Sequence, residues 1–511
     1  MSDKIPDKDF VYNALLRYNY LPIGKKHPDD IPLPVFSTEC LTPDIADEML
    51  KNYQKRRQNT DKVLGYDQIE YQTTRFNLVP RLMHIPHPAP YARLCKRLSE
   101  NWDKLSHICE NCNSREKPAK HDTGRLIMGK WEGLEQISVM NYSKLSDARY
   151  RLEISTGKFY RVKADITSFF PSIYTHSIPW VVVGRDKAKI NLGKELWYNQ
   201  LDEAQRNVKR GETQGIPIGP ATSHIISEFI LCQIDETLSK KCYVFVRYID
   251  DYECYCETHE DAENFIIDLA KELRKYLLSL NPKKVMIEEL PRPYQDQWVT
   301  TLRNNIPSWS QLSPRNIMNF LDLAVDLQKR YPEGNVLKYA VRTLANSKKF
   351  NNNSADFFLK YLITLAVHRP SVLPILCQVA ENHNVGSDLD IAPVLKQSLK
   401  FQRSDAICWS LYFMGIGGQK VSKDIAERII ETGDCMSMAM LIALGQHREK
   451  VVDFLNAEID PDAYYHCDRY WILLHELVSD CPQFKKYRGD SGLKFLMEKK
   501  VHFIKPIDAE N

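Results

Sequence analysis

One stretch constrains this chain more than any other: Phe245-Val246-Arg247-Tyr248-Ile249-Asp250-Asp251-Tyr252-Glu253-Cys254-Tyr255. Aromatic and β-branched residues, which suit a pleated and half-buried surface, flank two adjacent aspartates. The pattern predicts a β-hairpin whose tight turn carries Asp250 and Asp251. Two carboxylates fixed side by side repel each other, and a hard divalent cation offsets that cost because it prefers oxygen ligands. By itself an Asp-Asp turn is more often solvated than metal-binding, so a second element has to carry the argument.

That element is Tyr160-Arg161-Val162-Lys163-Ala164-Asp165-Ile166-Thr167-Ser168-Phe169-Phe170-Pro171, which reads as a strand ending at Asp165 and turning into a helix. The pair resembles a palm-type polymerase, in which one aspartate on a strand beside an acidic hairpin binds two Mg²⁺ ions with it. One ion activates an attacking hydroxyl; the other holds a triphosphate and stabilises the departing pyrophosphate. Phe170 falls where a flat ring can pack under an incoming sugar and exclude a 2′-hydroxyl, the group that separates RNA from DNA precursors. The bland alternative makes Phe169 and Phe170 core aromatics. Gln214-Gly215-Ile216-Pro217-Ile218-Gly219-Pro220 opens an apolar helix, and its glycines let the backbone approach a base or phosphate closely. In Leu280-Asn281-Pro282-Lys283-Lys284, the last lysine is placed to protonate pyrophosphate as it leaves. In Arg81-Leu82-Met83-His84-Ile85-Pro86, the arginine offers a planar fork for a triphosphate. Singly, each cation is an ordinary surface charge; their order carries the weight.

Length and composition bound the rest. At 511 residues the chain exceeds one core, so two or three packed units are expected. A net charge of +3 decides little, because a nucleic-acid enzyme can cluster its basic residues at one groove. The chain changes character near residue 300. Before it, strands alternate with helices; after it come amphipathic helices such as Pro314–Arg330 (Ser313 as N-cap), Ala355–Val367, Asp405–Met414, Ser422–Glu431 and Asp434–Leu444. Helices of similar length in series suggest an α-solenoid of the HEAT kind, with an irregular bundle as the alternative. The start has no basic region followed by an apolar run, so no secretory signal is read. The most apolar long stretch, Phe357 to Ala380, is broken by Lys360 and His368-Arg369-Pro370, so no membrane span is expected. The 13 cysteines are scattered, some in apolar runs (Cys232, Cys377, Cys408), as reduced thiols of a cytoplasmic protein would be. Cys109 and Cys112, with His107 and His121, make half of a zinc site; the ligand count favours plain thiols.

In order and spacing, Arg81 to Pro86, Asp165 to Phe170, Gln214-Gly215, Tyr248-Ile-Asp-Asp251 and Leu280-Asn-x-x-Lys284 resemble the fingers and palm motifs of reverse transcriptases. Ile85-Pro-His-Pro88 with Tyr91, the run Ser168 to Trp180, and Gly215 to Pro220 further resemble the abortive-infection (Abi) branch, prokaryotic anti-phage polymerases that include prophage-encoded members. The resemblance implies an α+β fold, with a reverse-transcriptase fingers and palm domain over residues 1–300 and an all-α HEAT-like helical domain over residues 301–511 in place of a thumb. Segment 1–40 is expected to be mobile. Asp165, Asp250 and Asp251 are then the catalytic and metal-binding carboxylates for two Mg²⁺ ions, with Mn²⁺ as a substitute. Lys284 is the proton donor, and Arg81, Phe170, Gln214 and Gly215 serve the deoxynucleoside triphosphate. The resemblance also implies synthesis without a template, primed from a protein hydroxyl, leaving single-stranded DNA covalently attached to a homo-oligomer (trimer or hexamer). Candidates for the priming hydroxyl are Tyr12, Tyr18 and Tyr20, beside a Pro/Lys-rich segment. Two departures from ordinary reverse transcriptases agree: Gly219-Pro220 replaces the usual Ser-Pro, and nothing after residue 300 resembles a thumb. The competing readings are an RNA-templated reverse transcriptase, which needs an open duplex groove, and a non-catalytic nucleic-acid-binding phage sensor, which has no use for clustered like charges.

Overall fold

The computed structural model describes residues 5–21, 35–52, 65–74, 79–115, 118–120, 126–132, 135–138, 145–293, 295–307, 311–347, 350–383 and 389–507. Among the described residues, nine strands form three sheets: β1 (Gln68–Thr73) with β2 (Arg81–Pro86); β3 (Pro118–Lys120), β4 (Leu126–Glu132) and β5 (Glu135–Ser138); and β6 (Tyr160–Asp165), β7 (Val244–Tyr248), β8 (Asp251–Cys256) and β9 (Met286–Glu289).

The last sheet, in the order β7-β8-β6-β9, positions the site. All its pairs are antiparallel, and the register sets Asp165 opposite Asp251, Lys163 opposite Glu253 and Arg161 opposite Tyr255. Because side chains alternate across a strand, these residues share one face. The other face carries Val162, Ala164, Tyr252 and Cys254, all buried. The helices Ala221–Lys240 and His259–Lys275 lie on that apolar side. Thr258 starts the second of them with a reciprocal capping box to Asp261.

The β1–β2 hairpin is held from two sides. His84 of β2 donates its backbone N–H to Ile218 O (2.9 Å), and its Nδ1 accepts from Ile218 N (3.2 Å). Gly219 has φ +126°, and a Cβ there would come within 3.3 Å of Met83 Cε and 3.5 Å of His84 O. Glycine at 219 thus fits both the backbone angle and the close approach of this turn to β2. On the outer edge, backbone N–H groups of Asp67, Gln72 and Thr74 donate to Asp468 Oδ2 (2.9 Å), Ser404 Oγ (3.1 Å) and Asp405 Oδ2 (2.6 Å). An uncovered strand edge invites foreign pairing; here side chains of the C-terminal region cap it.

From Gln297–Asn304 to Leu493–Glu498 every regular element among the described residues is helical. Ser313 and Pro314 open Pro314–Arg330 as expected, and Ser422 and Asp434 are N-caps of the helices Lys423–Glu431 and Cys435–Ala443 rather than their first residues. Among the described residues, no helix is long and apolar enough to cross a membrane. The apolar run from Phe357 is the expected hairpin, Asn352–His368 and Leu373–His383.

One expectation is corrected. Residues 5–21 are not loose: the helix Lys8–Arg17, capped by Asp7, packs on the helix Pro88–Glu100, and Trp102 Nε1 donates to Pro6 O (2.5 Å). Val11, Ala14, Leu15 and Leu16 are buried, which supplies the apolar stripe that fixes the segment. Residues 1–4 and 22–34 lie outside the described set. Val35 and Phe36 meet the far end of the chain through Lys505 N to Val35 O (2.7 Å) and a bridge between Phe36 and Ile504.

Candidate active site

The hairpin β7–β8 turns through two residues, because Tyr248 pairs with Asp251. The turn is therefore Ile249-Asp250, and Asp251 is the first residue of β8 rather than part of the turn. This shift of one residue matters. It puts Asp251 directly across from Asp165, with Asp250 at the tip beside them. Ile249 has φ +54°, a left-handed conformation that a β-branched side chain strongly disfavours. Ile166 N donates to Asp250 O (3.1 Å), tying the turn to the residue after Asp165.

The charges respond to this crowding. Asp250 is pushed up from 3.8 to about 6, by burial first and then by the negative charge of Asp165; Lys284 and Arg81 pull the other way. Asp251 is pushed to about 7, by desolvation of its carboxyl, then by Asp250 and Asp165. Lys284 Nζ stands 2.6 Å from Asp165 Oδ2. Desolvation works against its charge, but Asp165 and then Asp251 and Asp250 outweigh that and hold the ammonium above its ordinary value. Asn281 fixes the approach: its N–H donates to Asp165 O (2.8 Å) and its Nδ2 to Asp165 Oδ1 (3.3 Å).

Do these residues fit a divalent cation? The donors are oxygen only, their mutual repulsion raises two of them, and a side-chain cation already neutralises the third; that is the chemistry of a hard-ion site. Among the described residues, no three His, Cys, Asp or Glu side chains are already gathered at metal-ligand distances. The carboxylates would close around an ion with Lys284 giving way at Asp165.

Arg81 begins β2, and its charge reaches both Asp250 and His224. Phe170 is buried, its ring 5.3 Å from Phe169 and 5.2 Å edge-on from His224. Gln214 is exposed, and its Nε2 donates to Pro171 O and Ser172 O (both 3.2 Å), clamping the turn after Phe170. Gly215, at φ +81°, donates to Ile173 O (2.8 Å) and serves the same junction. The structure thus brings Asp165, Asp250, Asp251, Lys284 and Arg81 together and makes Gln214 and Gly215 supports for the Phe170 segment.

The tyrosines divide. Tyr12 is buried and its hydroxyl donates to Asp47 Oδ1 (2.7 Å); Tyr20 is buried and donates to Pro86 O (2.6 Å). Neither presents the exposed hydroxyl expected of it, because each fills a place in the core. Tyr18 is half-buried, with the Arg17 guanidinium 5.0 Å from its ring centre. For the half zinc site, His107 Nδ1 lies 3.1 Å from Lys104 O and its ring packs edge-on to Phe229; neither Cys109 nor Cys112 is in a disulfide, and His121 lies outside the described residues.

Two features escaped the sequence reading. A cavity of about 650 Å³ opens from Asp165, Asp251 and Lys284 along the polar face of the sheet, roofed by Trp298 and Tyr339 of the C-terminal helices. Beneath the hairpin, Arg247 is fully buried and ion-paired to Glu228 and Asp235 (both 2.7 Å). A signal existed for the second: Arg247 pairs with Tyr252 on the apolar face, and the helix Ala221–Lys240 carries Glu228 and Asp235 seven residues apart, on one side, among its buried apolar residues.

Residues 126–306 match the family described as reverse transcriptase (RNA-dependent DNA polymerase). No curated protein matches. Among solved structures, apo telomerase from Candida tropicalis is similar at 11% identity and a TM-score of 0.32, covering 81% of this chain and 71% of that one. Telomerase from Candida albicans with a TWJ fragment of telomeric RNA is similar at 11% identity and 0.29, covering 84% and 69%. Both structural likenesses are too faint to carry a conclusion. The family match spans β6, the β7–β8 hairpin and Lys284, the elements that gather the carboxylates. Residues 126–306 of this chain are a domain of the reverse-transcriptase polymerase type.

Proposed function

We propose that this chain is a DNA polymerase that joins deoxynucleotides by two-metal nucleotidyl transfer, without a template and from a hydroxyl of its own. The observation that carries the reading is the register of β6 on β8, which sets Asp165 against Asp251 with Asp250 at the turn and Lys284 2.6 Å from Asp165. Asp165, Asp250 and Asp251 would hold the two Mg²⁺ ions, which lower the pKa of the attacking hydroxyl and neutralise charge on the phosphates. Lys284 supplies a proton to the departing pyrophosphate, which its raised affinity for protons keeps available at neutral pH. Arg81 grips the triphosphate from the fingers side, and Phe170, held by Phe169, His224 and the Gln214 clamp, excludes a 2′-hydroxyl.

Template independence draws support from the roof over the polar face. Trp298 and Tyr339 help line a cavity of about 650 Å³ beside Asp165, a volume in the range of small-ligand sites. Tyr18 is the priming candidate whose hydroxyl is not built into the core. The C-terminal helices, which pack on chain neighbours and on next-but-one neighbours, support a HEAT-like arrangement. Homo-oligomerisation and a role in abortive-infection defence follow from the motif resemblance. RNA-templated synthesis, named in the matched family's description, is the second reading.

The test is purified protein with Mg²⁺ and labelled deoxynucleotides, no template and no primer, run on a denaturing gel. A nuclease-sensitive smear above the protein band, absent in Asp250→Ala, is the expected result. Label appearing only when an annealed RNA–primer duplex is added would favour the second reading, and activity surviving in Asp250→Ala would overturn both.

A further inference from the structure

Arg247 has a place in the hairpin that its ion pairs alone do not explain. Its guanidinium is 0% exposed and uses all three nitrogens: Nε and Nη2 donate to Asp235 Oδ2 (2.9 and 2.7 Å), and Nη1 and Nη2 to Glu228 (2.7 and 2.9 Å). Tyr252 Oη and Asn111 Nδ2 complete Asp235 (3.0 and 2.7 Å). A buried ion pair of this kind is weak evidence of a stabilising role, since an apolar replacement often does as well. One bond leaves the cluster: Nη1 donates to Ile249 O at 2.9 Å.

Ile249 is the residue in the left-handed conformation, and Asp250 follows it. A strained backbone persists only where its surroundings over-determine it. Here both turn carbonyls are pinned, Ile249 O by Arg247 and Asp250 O by Ile166 N. The backbone of Arg247 is fixed as well: its N–H donates to Asn113 O and its O accepts from Arg115 N (both 2.9 Å). We infer that Arg247, anchored by Glu228 and Asp235, is a positioning residue that holds the strained Ile249-Asp250 turn so that Asp250 and Asp251 face Asp165. The inference rests on the carboxylate reading above. A lysine cannot replace it, because a single ammonium cannot fork to two carboxylates and still reach the carbonyl.

The experiment is a Mn²⁺ titration of the full chain followed by electron paramagnetic resonance, on wild type, Asp250→Ala, Arg247→Lys and the double variant Arg247→Lys/Ile249→Gly. Supporting groups behind metal ligands typically contribute ~10–100-fold in affinity, and that weakening is expected in Arg247→Lys with an unchanged circular dichroism spectrum. Glycine at 249 removes the strain, so the double variant should recover part of the loss; a role confined to packing the helix on the sheet would not be rescued. Wild-type Mn²⁺ affinity in folded Arg247→Lys overturns the inference, as does a loss that Ile249→Gly fails to repair. Should Arg247→Lys not fold, Glu228→Gln loosens the same guanidinium, and unchanged Mn²⁺ binding there is equally fatal. If wild-type binding does not depend on Asp250, the carboxylate reading has failed instead, and the inference goes with it.

Discussion

Asp250→Asn should abolish nucleotide transfer and yet stabilise the metal-free protein. In the fold the Asp250 carboxyl is raised from 3.8 to about 6, because burial and the charge of Asp165 oppose its ionisation. Each pH unit is worth about 1.4 kcal/mol, so the rise corresponds to about 3 kcal/mol of destabilisation once the group is ionised. The side chain keeps some contact with solvent, which screens it and halves the figure to about 1–2 kcal/mol. A folded-state pKa above the ordinary value means that the native state holds the proton more tightly. The cost is absent near pH 4, grows as pH rises from about 4 to 6, and is complete above that. Thermal unfolding in a chelator should therefore show Asp250→Asn more stable than wild type at pH 8 and equal to it near pH 4. Excess Mg²⁺ should reverse the order at pH 8, since binding at 100 times the dissociation constant contributes about 2.7 kcal/mol to a protein that keeps its ligands. A variant less stable than wild type at pH 8 in chelator, or a gain that persists at pH 4, would refute the electrostatic reasoning.

Three shorter predictions follow from the same geometry. Gly219→Ala places a Cβ 3.3 Å from Met83 Cε at a φ of +126°, so it should cost about 1–3 kcal/mol and raise the KM for nucleotide by shifting β2 and Arg81; denaturant titration and steady-state kinetics read both. Lys284→Met should lower kcat by roughly 10²–10⁴-fold, as loss of a general acid does, with a smaller effect on KM; an unchanged kcat would remove Lys284 from the proton transfer. Tyr20→Phe leaves Pro86 O without its buried donor and should cost about 1–2 kcal/mol by chemical denaturation, whereas Tyr18→Phe should leave stability unchanged and remove the DNA–protein adduct.

The acidic site was legible because its physics is local. A strand, a tight turn and two carboxylates show in a dozen residues, and Asp165 shows by the same alternation of β-branched and aromatic side chains. What a one-dimensional reading could not settle was register. Turn length decides whether Asp251 sits in the loop or opens β8, and the pairing of Tyr248 with Asp251 depends on Ile249 accepting a conformation that its side chain disfavours. Propensity argues against that conformation, and the Arg247 cluster, assembled from residues far apart in sequence, supplies what overrides it. Gln214 was ambiguous for a similar reason: an amide beside a glycine suits a ligand as well as a backbone carbonyl, and only the fold shows that Pro171 and Ser172 accept its hydrogens. Tyr12 and Tyr20 looked free because they lie near a terminus, but Val11, Leu15 and Leu16 give that segment an apolar stripe that carries the rings into the core.

The C-terminal helices do more than roof the polar face of the sheet. Asp405, Ser404 and Asp468 take three backbone N–H groups along β1, and Arg469 and Arg210 both reach Asp67 (3.0 and 3.8 Å) at the base of β1. Strand β1 pairs with β2 along its whole length, and β2 carries Arg81 and holds the Gly219 turn through His84. Each of these bonds has a buried or half-buried polar group at one end, so breaking it without replacement leaves an unsatisfied group at about 1–3 kcal/mol. A hairpin tied at that many points does not swing as an independent lid. On the proposed function, a nucleotide would enter through the cavity by Asp165 and Lys284, or through movement of the hairpin and the helices that cap it as one body. Movement of that body would change the distance from Arg81 to Asp250, whose pKa the Arg81 charge now lowers against the larger effects of burial and Asp165.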